Sequence, residues 1–112
     1  MKLTLTCLAC WLVFAVTASA EKVGLIKVDG VIGPATASYL SRSIDEARVQ
    51  NAQCLIVQLN TPGGLLDSTQ KIVQSFLRSP VPVVVYVAPA GATATSAGCF
   101  ITMAARSAPI SR

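Results

Sequence analysis

Histidine is absent from this 112-residue sequence, and charged and aromatic residues are scarce, at 12% and 5% of the chain. The absence of histidine excludes a Ser-His-Asp triad, a Cys-His dyad and any zinc or iron site built on imidazole. Four cysteines are present, but Cys7 and Cys10 stand together while Cys54 and Cys99 stand alone. A zinc site made of two CxxC units is therefore not expected, and we predict no metal and no other cofactor.

The chain is also short and only weakly charged. Its length allows one small domain at most. Nine basic residues against five acidic ones give a net charge of +4, but the basic residues are scattered singly. Without a basic run or a basic patch interleaved with aromatic residues, nucleic-acid binding is not expected.

Residues 1–20 predict an export signal. Met1 and Lys2 precede an apolar stretch, and small residues form an A-x-A-like cleavage site just before Glu21. An uncleaved signal anchor is the alternative, because the apolar stretch is close to the minimum length for spanning a bilayer. A lipoprotein signal modified at Cys10 fits less well, because this cysteine comes too early and lacks a convincing preceding box.

All three interpretations export residues 21–112 to a periplasmic or other extracytoplasmic space, in association with the membrane. Cleavage after residue 20 would leave Cys54 and Cys99 as the two cysteines of the exported part. Both lie in apolar stretches, which favours buried free thiols over a disulfide.

The exported part alternates between strand-like and helix-like patterns. Short apolar runs predict strands at 23–28, 54–59 and 83–87, and a small-residue helix is expected from about Thr95 to Ala105. The helix that starts at Pro34 has an expected buried face of Ala37, Leu40, Ile44 and Ala47. The helix after the second strand has an expected face of Leu66, Thr69, Val73, Phe76 and Leu77.

This alternation predicts an α/β fold with a parallel sheet and flanking helices. The third strand is almost continuous in β-branched residues, a pattern typical of a strand covered on both faces. Three such strands leave an edge that must be paired or covered. Residues 21–112 are therefore expected to be a partial domain, apparently truncated.

Two loops follow strands, at the sheet edge where parallel α/β folds place their sites. In the first, at 60–64, Gly63 and Gly64 could present backbone N–H groups to a developing oxyanion. In the second, at 91–98, Ser96 could attack an acyl group, with the N–H of the next residue as an oxyanion donor. Taken singly, the first loop also suits an ordinary turn, and a helix N-cap at Ser96 or Thr95 is the more common role.

Together, NTPGG after the second strand and PAGATATSAG after the third resemble the Clp-class serine proteases and the signal-peptide-peptidase A family. They most resemble the NfeD (nodulation efficiency protein D) family of membrane-bound Clp-class proteases. The segment VGLIKVDGVIGPATASYLSRSIDEA and the apolar leader are also similar to that family. The resemblance covers residues 23 to about 105, and the paired motifs are far more specific than either one singly.

The resemblance implies a Clp/crotonase-like fold with a serine–lysine dyad. Ser96 matches the family's nucleophile, and Gly63 and Gly64 match its oxyanion loop, with the N–H of Ala97 as a second donor. The resemblance also implies hydrophobic peptide segments as substrates, a stomatin-like membrane protein as a partner, and a homo-oligomer.

A serine–lysine mechanism is compatible with the absence of histidine, because burial can lower the pKa of a lysine toward neutrality. In the family this lysine lies a few tens of residues beyond the serine helix. Lys22, Lys27 and Lys71 are the lysines after the leader, and none matches that position. No base is assigned, and residues 106–112 depart from the family's pattern.

Three functions follow as hypotheses. The first is an exported, membrane-associated serine endopeptidase of the serine–lysine type, represented by an N-terminal fragment that lacks its base. The alternative is a catalytically inert oligomerisation or interaction fragment of the same family. An acyl-CoA enzyme on the related crotonase fold is a third, but the leader and the position of Ser96 argue against it.

Overall fold

The computed structural model describes residues 21–105, in which three strands and three helices alternate. In chain order they are β1 (Val23–Asp29), α1 (Pro34–Val49), β2 (Cys54–Asn60), α2 (Leu66–Arg78), β3 (Val83–Val87) and α3 (Ala97–Ala104). The predicted strands and helices are therefore present, with ends that shift by up to two residues. The predicted leader and the departure at 106–112 lie outside the described residues.

The three strands form one parallel sheet in the order β1-β2-β3, as predicted. Val23 pairs with Cys54, and Leu55 pairs with Val83, so the carboxyl ends of all three strands meet at one edge. Beyond β2, isolated parallel bridges join Thr61 to Ala94 and Gly64 to Ile32. The sheet edge therefore continues into both predicted loops.

The helices pack on one face of the sheet. Residues of α1 bury the predicted set, Ala37, Leu40, Ile44 and Ala47. The buried face of α2 differs from its prediction and consists of Ser68, Thr69, Ile72 and Phe76. In the sheet, the core includes Val28, Leu55, Val57, Leu59 and Val83.

The opposite face of the sheet is not covered by residues 21–105. In β2 every second residue is buried, and the residues between them, such as Ile56, are half-buried. On the same face Leu25 is 60% exposed and Tyr86 is 40% exposed. Cover on both faces is not found within this part of the chain: α1 contacts β1 and β2, α3 contacts β3, and the core that all three helices share lies on the face of Val57.

Two further expectations concern thiols and membrane association. Cys54 is half-buried and Cys99 is exposed, and both are free. The prediction of a buried thiol is wrong for Cys99, because α3 buries Ala97, Gly98 and Ile101 and leaves Cys99 on its outer side. Between residues 21 and 105, the structure has no helix with the length and apolar character needed to span a bilayer.

Candidate active site

The two predicted loops are joined by hydrogen bonds at the carboxyl edge of the sheet. The Thr61 N–H donates to the Thr93 carbonyl at 2.7 Å, and the Thr95 N–H donates to the Thr61 carbonyl at 3.2 Å. The Thr95 hydroxyl donates to the Pro62 carbonyl at 3.0 Å. The loop after β2 and the loop before α3 therefore form one connected surface.

Gly63 makes a close approach to Ser96. Its φ of +118° lies in the region that favours glycine. A Cβ placed on Gly63 would lie 2.9 Å from the Ser96 Cβ and 3.4 Å from the Ser96 Oγ. A glycine is needed here for both its backbone conformation and its small size, and it brings the first loop directly against the serine.

Gly64 has a different structural requirement. A Cβ at this position would overlap the carbonyl oxygen of Ile32, so glycine permits the bridge between these two residues. Two hydrogen bonds flank the bridge: Ile32 N–H to the Gly63 carbonyl at 2.9 Å, and Leu65 N–H to the Ile32 carbonyl at 3.0 Å. The position of Gly64 is thus fixed from both sides.

The three predicted oxyanion donors differ in whether their N–H groups are free. The Gly63 N–H donates to the Thr61 Oγ1 at 3.1 Å, and Gly63 is buried. Within residues 21–105, the N–H groups of Gly64 and Ala97 have no hydrogen-bond acceptor. Gly64 and Ala97 therefore fit an oxyanion site better than Gly63 does.

Ser96 has a strained backbone and a hydroxyl with no bonding role in this part of the chain. Its φ of 54° and ψ of −114° form a combination that residues with a Cβ rarely adopt. It occupies the N-cap position of α3, but its side chain makes no capping hydrogen bond, and the residue is exposed. Strain at an exposed serine is typical of a nucleophile on a tight turn before a helix.

Ser96 occupies the N-cap position, but among the described residues neither Ser96 nor Thr95 caps α3 with its side chain. A capping side chain accepts a hydrogen bond from a backbone N–H in the first turn of the helix. The Thr95 hydroxyl instead donates to the other loop, and the Ser96 hydroxyl has no partner among residues 21–105. The first turn of α3 begins with backbone bonds alone, including Gly98 N–H to the Thr95 carbonyl at 3.0 Å.

The structure assigns no base among the described residues. Lys22, Lys27 and Lys71 are all exposed, and none is hydrogen-bonded to Ser96. The Lys22 carbonyl accepts the Gln53 N–H just before β2, at the amino end of the sheet, and Lys27 lies on β1. Lys71 lies on α2, where it lines a groove of about 520 Å³ between α1 and α2.

Polar residues around the site were not singled out by the sequence patterns. Asn60 accepts the Thr93 N–H on its Oδ1 at 3.0 Å and donates from Nδ2 to Asp29 at 3.3 Å. Thr61 is completely buried. The available signal was a pair of polar residues, Asn60 and Thr61, directly after a buried apolar strand.

Comparison with known proteins identifies relatives with the same fold. The family model described as "NfeD1b, N-terminal domain" matches residues 22–111, so the expected departure from the family's pattern is wrong for residues 106–111. The membrane-bound protease PH1510 of Pyrococcus horikoshii is 40% identical over 77 residues, which are 69% of this chain and 18% of that protein. The chain thus spans about a fifth of the length of that relative.

Solved structures of related proteases resemble this chain in fold. A 1510-N membrane-bound stomatin-specific protease, a lysine-to-alanine mutant in complex with a substrate peptide, has a TM-score of 0.76 and 36% identity. The match covers 79% of this chain and 40% of that one. The ClpP1 protein of Listeria monocytogenes has a TM-score of 0.62 at 20% identity, covering 72% of this chain and 46% of that chain. The Clp-like α/β fold expected from the sequence is confirmed.

Proposed function

Because this chain belongs to the NfeD1b N-terminal domain family, we propose that it carries the nucleophile and oxyanion site of a membrane-associated serine endopeptidase. The observation that supports this most strongly is the backbone of Ser96. Side-chain capping of α3 does not explain its strained conformation, because the Ser96 hydroxyl makes no capping hydrogen bond. This conformation leaves the hydroxyl accessible and next to Gly63. Strain of this kind persists only where the surroundings impose it, and it is concentrated at functional sites.

The chemistry follows from the groups around Ser96. Its Oγ adds to the carbonyl carbon of a peptide, and the N–H groups of Gly64 and Ala97 stabilise the resulting oxyanion. The C–N bond then breaks as the base returns its proton to the leaving nitrogen, and the acyl group stays on Ser96 as an ester. Water adds to this ester and releases the carboxylic acid and the Ser96 hydroxyl. The family resemblance implies a lysine as the base that accepts the Ser96 proton, and we assign this role to none of the three described lysines.

The substrate is proposed to be a hydrophobic peptide segment. Large apolar side chains are exposed on the elements that follow the two loops: Leu65, Leu66, Phe100 and Met103. Burying such side chains against a peptide is favourable by about 25 cal/mol per Å² of apolar surface. The substrate-peptide complex of the 1510-N protease supports a peptide ligand, and we propose a stomatin-like membrane protein as the physiological partner.

Export and membrane association rest on two observations. The first twenty residues have the pattern of a signal or an anchor. The Pyrococcus relative is itself named a membrane-bound protease. We propose that the site faces an extracytoplasmic compartment.

An inert interaction fragment is the second candidate function. It is favoured by the lack of a lysine hydrogen-bonded to Ser96 within residues 21–105. The uncovered sheet face, with Leu25 and Ile56, would then serve in oligomerisation. This candidate predicts a folded protein that associates without cleaving peptides.

Peptide cleavage by protein expressed from the whole gene separates the two candidates. We expect cleavage of hydrophobic peptides that Ser96→Ala abolishes and that Ser43→Ala leaves unchanged. Ser43 is the matched control because its hydroxyl lies on α1 and donates to the Tyr39 carbonyl at 2.8 Å, outside the loops that form the site. Cleavage that survives Ser96→Ala, or no cleavage at all, would contradict the endopeptidase.

A further inference from the structure

Thr61 is a buried polar residue at the junction of the two loops. Its side chain is fully buried. Its backbone makes two hydrogen bonds to the loop before α3: the Thr61 N–H donates to the Thr93 carbonyl, and the Thr61 carbonyl accepts from the Thr95 N–H. Its Oγ1 accepts the Gly63 N–H at 3.1 Å and donates to the Gly63 carbonyl at 3.3 Å. One residue therefore contacts both halves of the proposed site.

The Thr61 hydroxyl supplies what the buried Gly63 backbone needs. A buried N–H without an acceptor is costly, so the hydroxyl favours the observed orientation of Gly63, together with the Ile32 N–H that donates to the Gly63 carbonyl at 2.9 Å. This orientation includes the positive φ that places Gly63 against Ser96. With the Gly63 N–H engaged, the N–H of the next residue, Gly64, is the one left free in the glycine loop.

The methyl group of Thr61 has a separate contact. A Cβ placed on Gly98 would lie 2.7 Å from the Thr61 Cγ2, so the methyl packs closely against the first turn of α3. The two branches of one side chain thus hold different loops. The hydroxyl holds the glycine loop, and the methyl packs against Gly98.

We propose that Thr61 is a positioning residue of the oxyanion site. Its hydroxyl bonds both the N–H and the carbonyl of Gly63. The Gly63 carbonyl shares a peptide plane with the Gly64 N–H, so holding this carbonyl directs the Gly64 N–H toward the carbonyl that Ser96 attacks. This inference rests on the proposed function, since it concerns the geometry of the same reaction.

Two substitutions separate the branches of the side chain. Thr61→Val keeps the methyl and the shape but removes the hydroxyl, whereas Thr61→Ser keeps the hydroxyl but removes the methyl. Because a misplacement of about 1 Å at a catalytic group costs about 10²-fold in rate, Thr61→Val should lower kcat about 10²-fold with little change in KM. Thr61→Ser should retain kcat within a few fold of the unsubstituted protein, even where its Tm is lower.

A purely structural role of Thr61 predicts a different pattern of kcat, KM and Tm in the two variants. The loss of activity would then follow the loss of thermal stability, and both variants would change KM and kcat together. Equal kcat values for Thr61→Val and the unsubstituted protein would overturn the proposal.

A second readout is independent of cleavage. Amide hydrogen exchange at Gly63, followed by NMR, should be slow in the unsubstituted protein and in Thr61→Ser and faster in Thr61→Val. Equal exchange in all three proteins would overturn the proposal even if the protein cleaves no peptide. Failure of the proposed function is recognised separately, by the lack of cleavage that depends on Ser96.

Discussion

Ser96 combines an exposed hydroxyl, a strained backbone and a following residue whose N–H is free within the described residues. Gly63 packs closely against Ser96, and Gly64 has a second N–H that is free within the described residues. The motifs were sufficient to select these residues from the sequence. They were not sufficient to distinguish the engaged N–H of Gly63 from the free one of Gly64, because that difference depends on where the Thr61 hydroxyl lies in three dimensions.

A side chain at Gly63 should block the site. In Gly63→Ala, the added Cβ would displace Ser96, so we expect cleavage to fall by at least about 10²-fold. Because alanine adopts this positive φ only with strain, the substitution should also lower the free energy of unfolding by about 1–3 kcal/mol. Peptide cleavage and chemical denaturation measure the two effects separately.

Gly30→Ala is the matched control for that substitution. Gly30 has a φ of +114°, and a Cβ there would meet nothing within 4 Å. Its alanine variant should carry a similar backbone strain and keep its cleavage rate. Equal losses of activity in both variants would mean that strain, and not contact with Ser96, determines the effect.

At the scale of elements, the helical spacing predicted α1 correctly and α2 only in part. All four apolar positions predicted for α1 are buried. On α2, Leu77 was expected to be buried but is 66% exposed, whereas Ile72 is completely buried. The spacing alone admits either face, since α2 is apolar on more than one side. Its contacts with α1, α3 and the sheet decide which side is buried.

This difference predicts unequal effects of two truncations on α2. Ile72→Ala should lower the free energy of unfolding by about 2–5 kcal/mol, because it leaves a cavity in the core. Leu77→Ala should change it by less than about 0.5 kcal/mol. Urea denaturation of both variants is the measurement, and a comparable loss for Leu77→Ala would contradict the observed orientation of α2.

For the whole molecule, the sequence predicted the α/β class and the parallel sheet, but not the uncovered face. A run of β-branched residues such as β3 suits a covered strand and a half-covered one equally well. The side on which each helix packs depends on the path of the chain between strands. In the folded protein, the alternation of buried and half-buried residues in β2 shows which face the helices cover.

The one-sided arrangement predicts the behaviour of the two described cysteines. Cys54 lies on the uncovered face at the start of β2, and Cys99 lies on the outer side of α3, on the opposite face of the sheet. We expect a thiol reagent to modify Cys99 faster than Cys54, as quantified residue by residue by mass spectrometry. A disulfide between them under non-reducing conditions would contradict the arrangement of the sheet and helices.

Mapping the adduct of a fluorophosphonate tests whether Ser96 is a nucleophile. Protein expressed from the whole gene is treated with the probe, digested and analysed by mass spectrometry. We expect one modified site, at Ser96, and a loss of modification in Ser96→Ala and in Gly63→Ala. An unmodified Ser96, or labelling spread equally over other serines such as Ser43, would refute the assignment of Ser96 as the nucleophile.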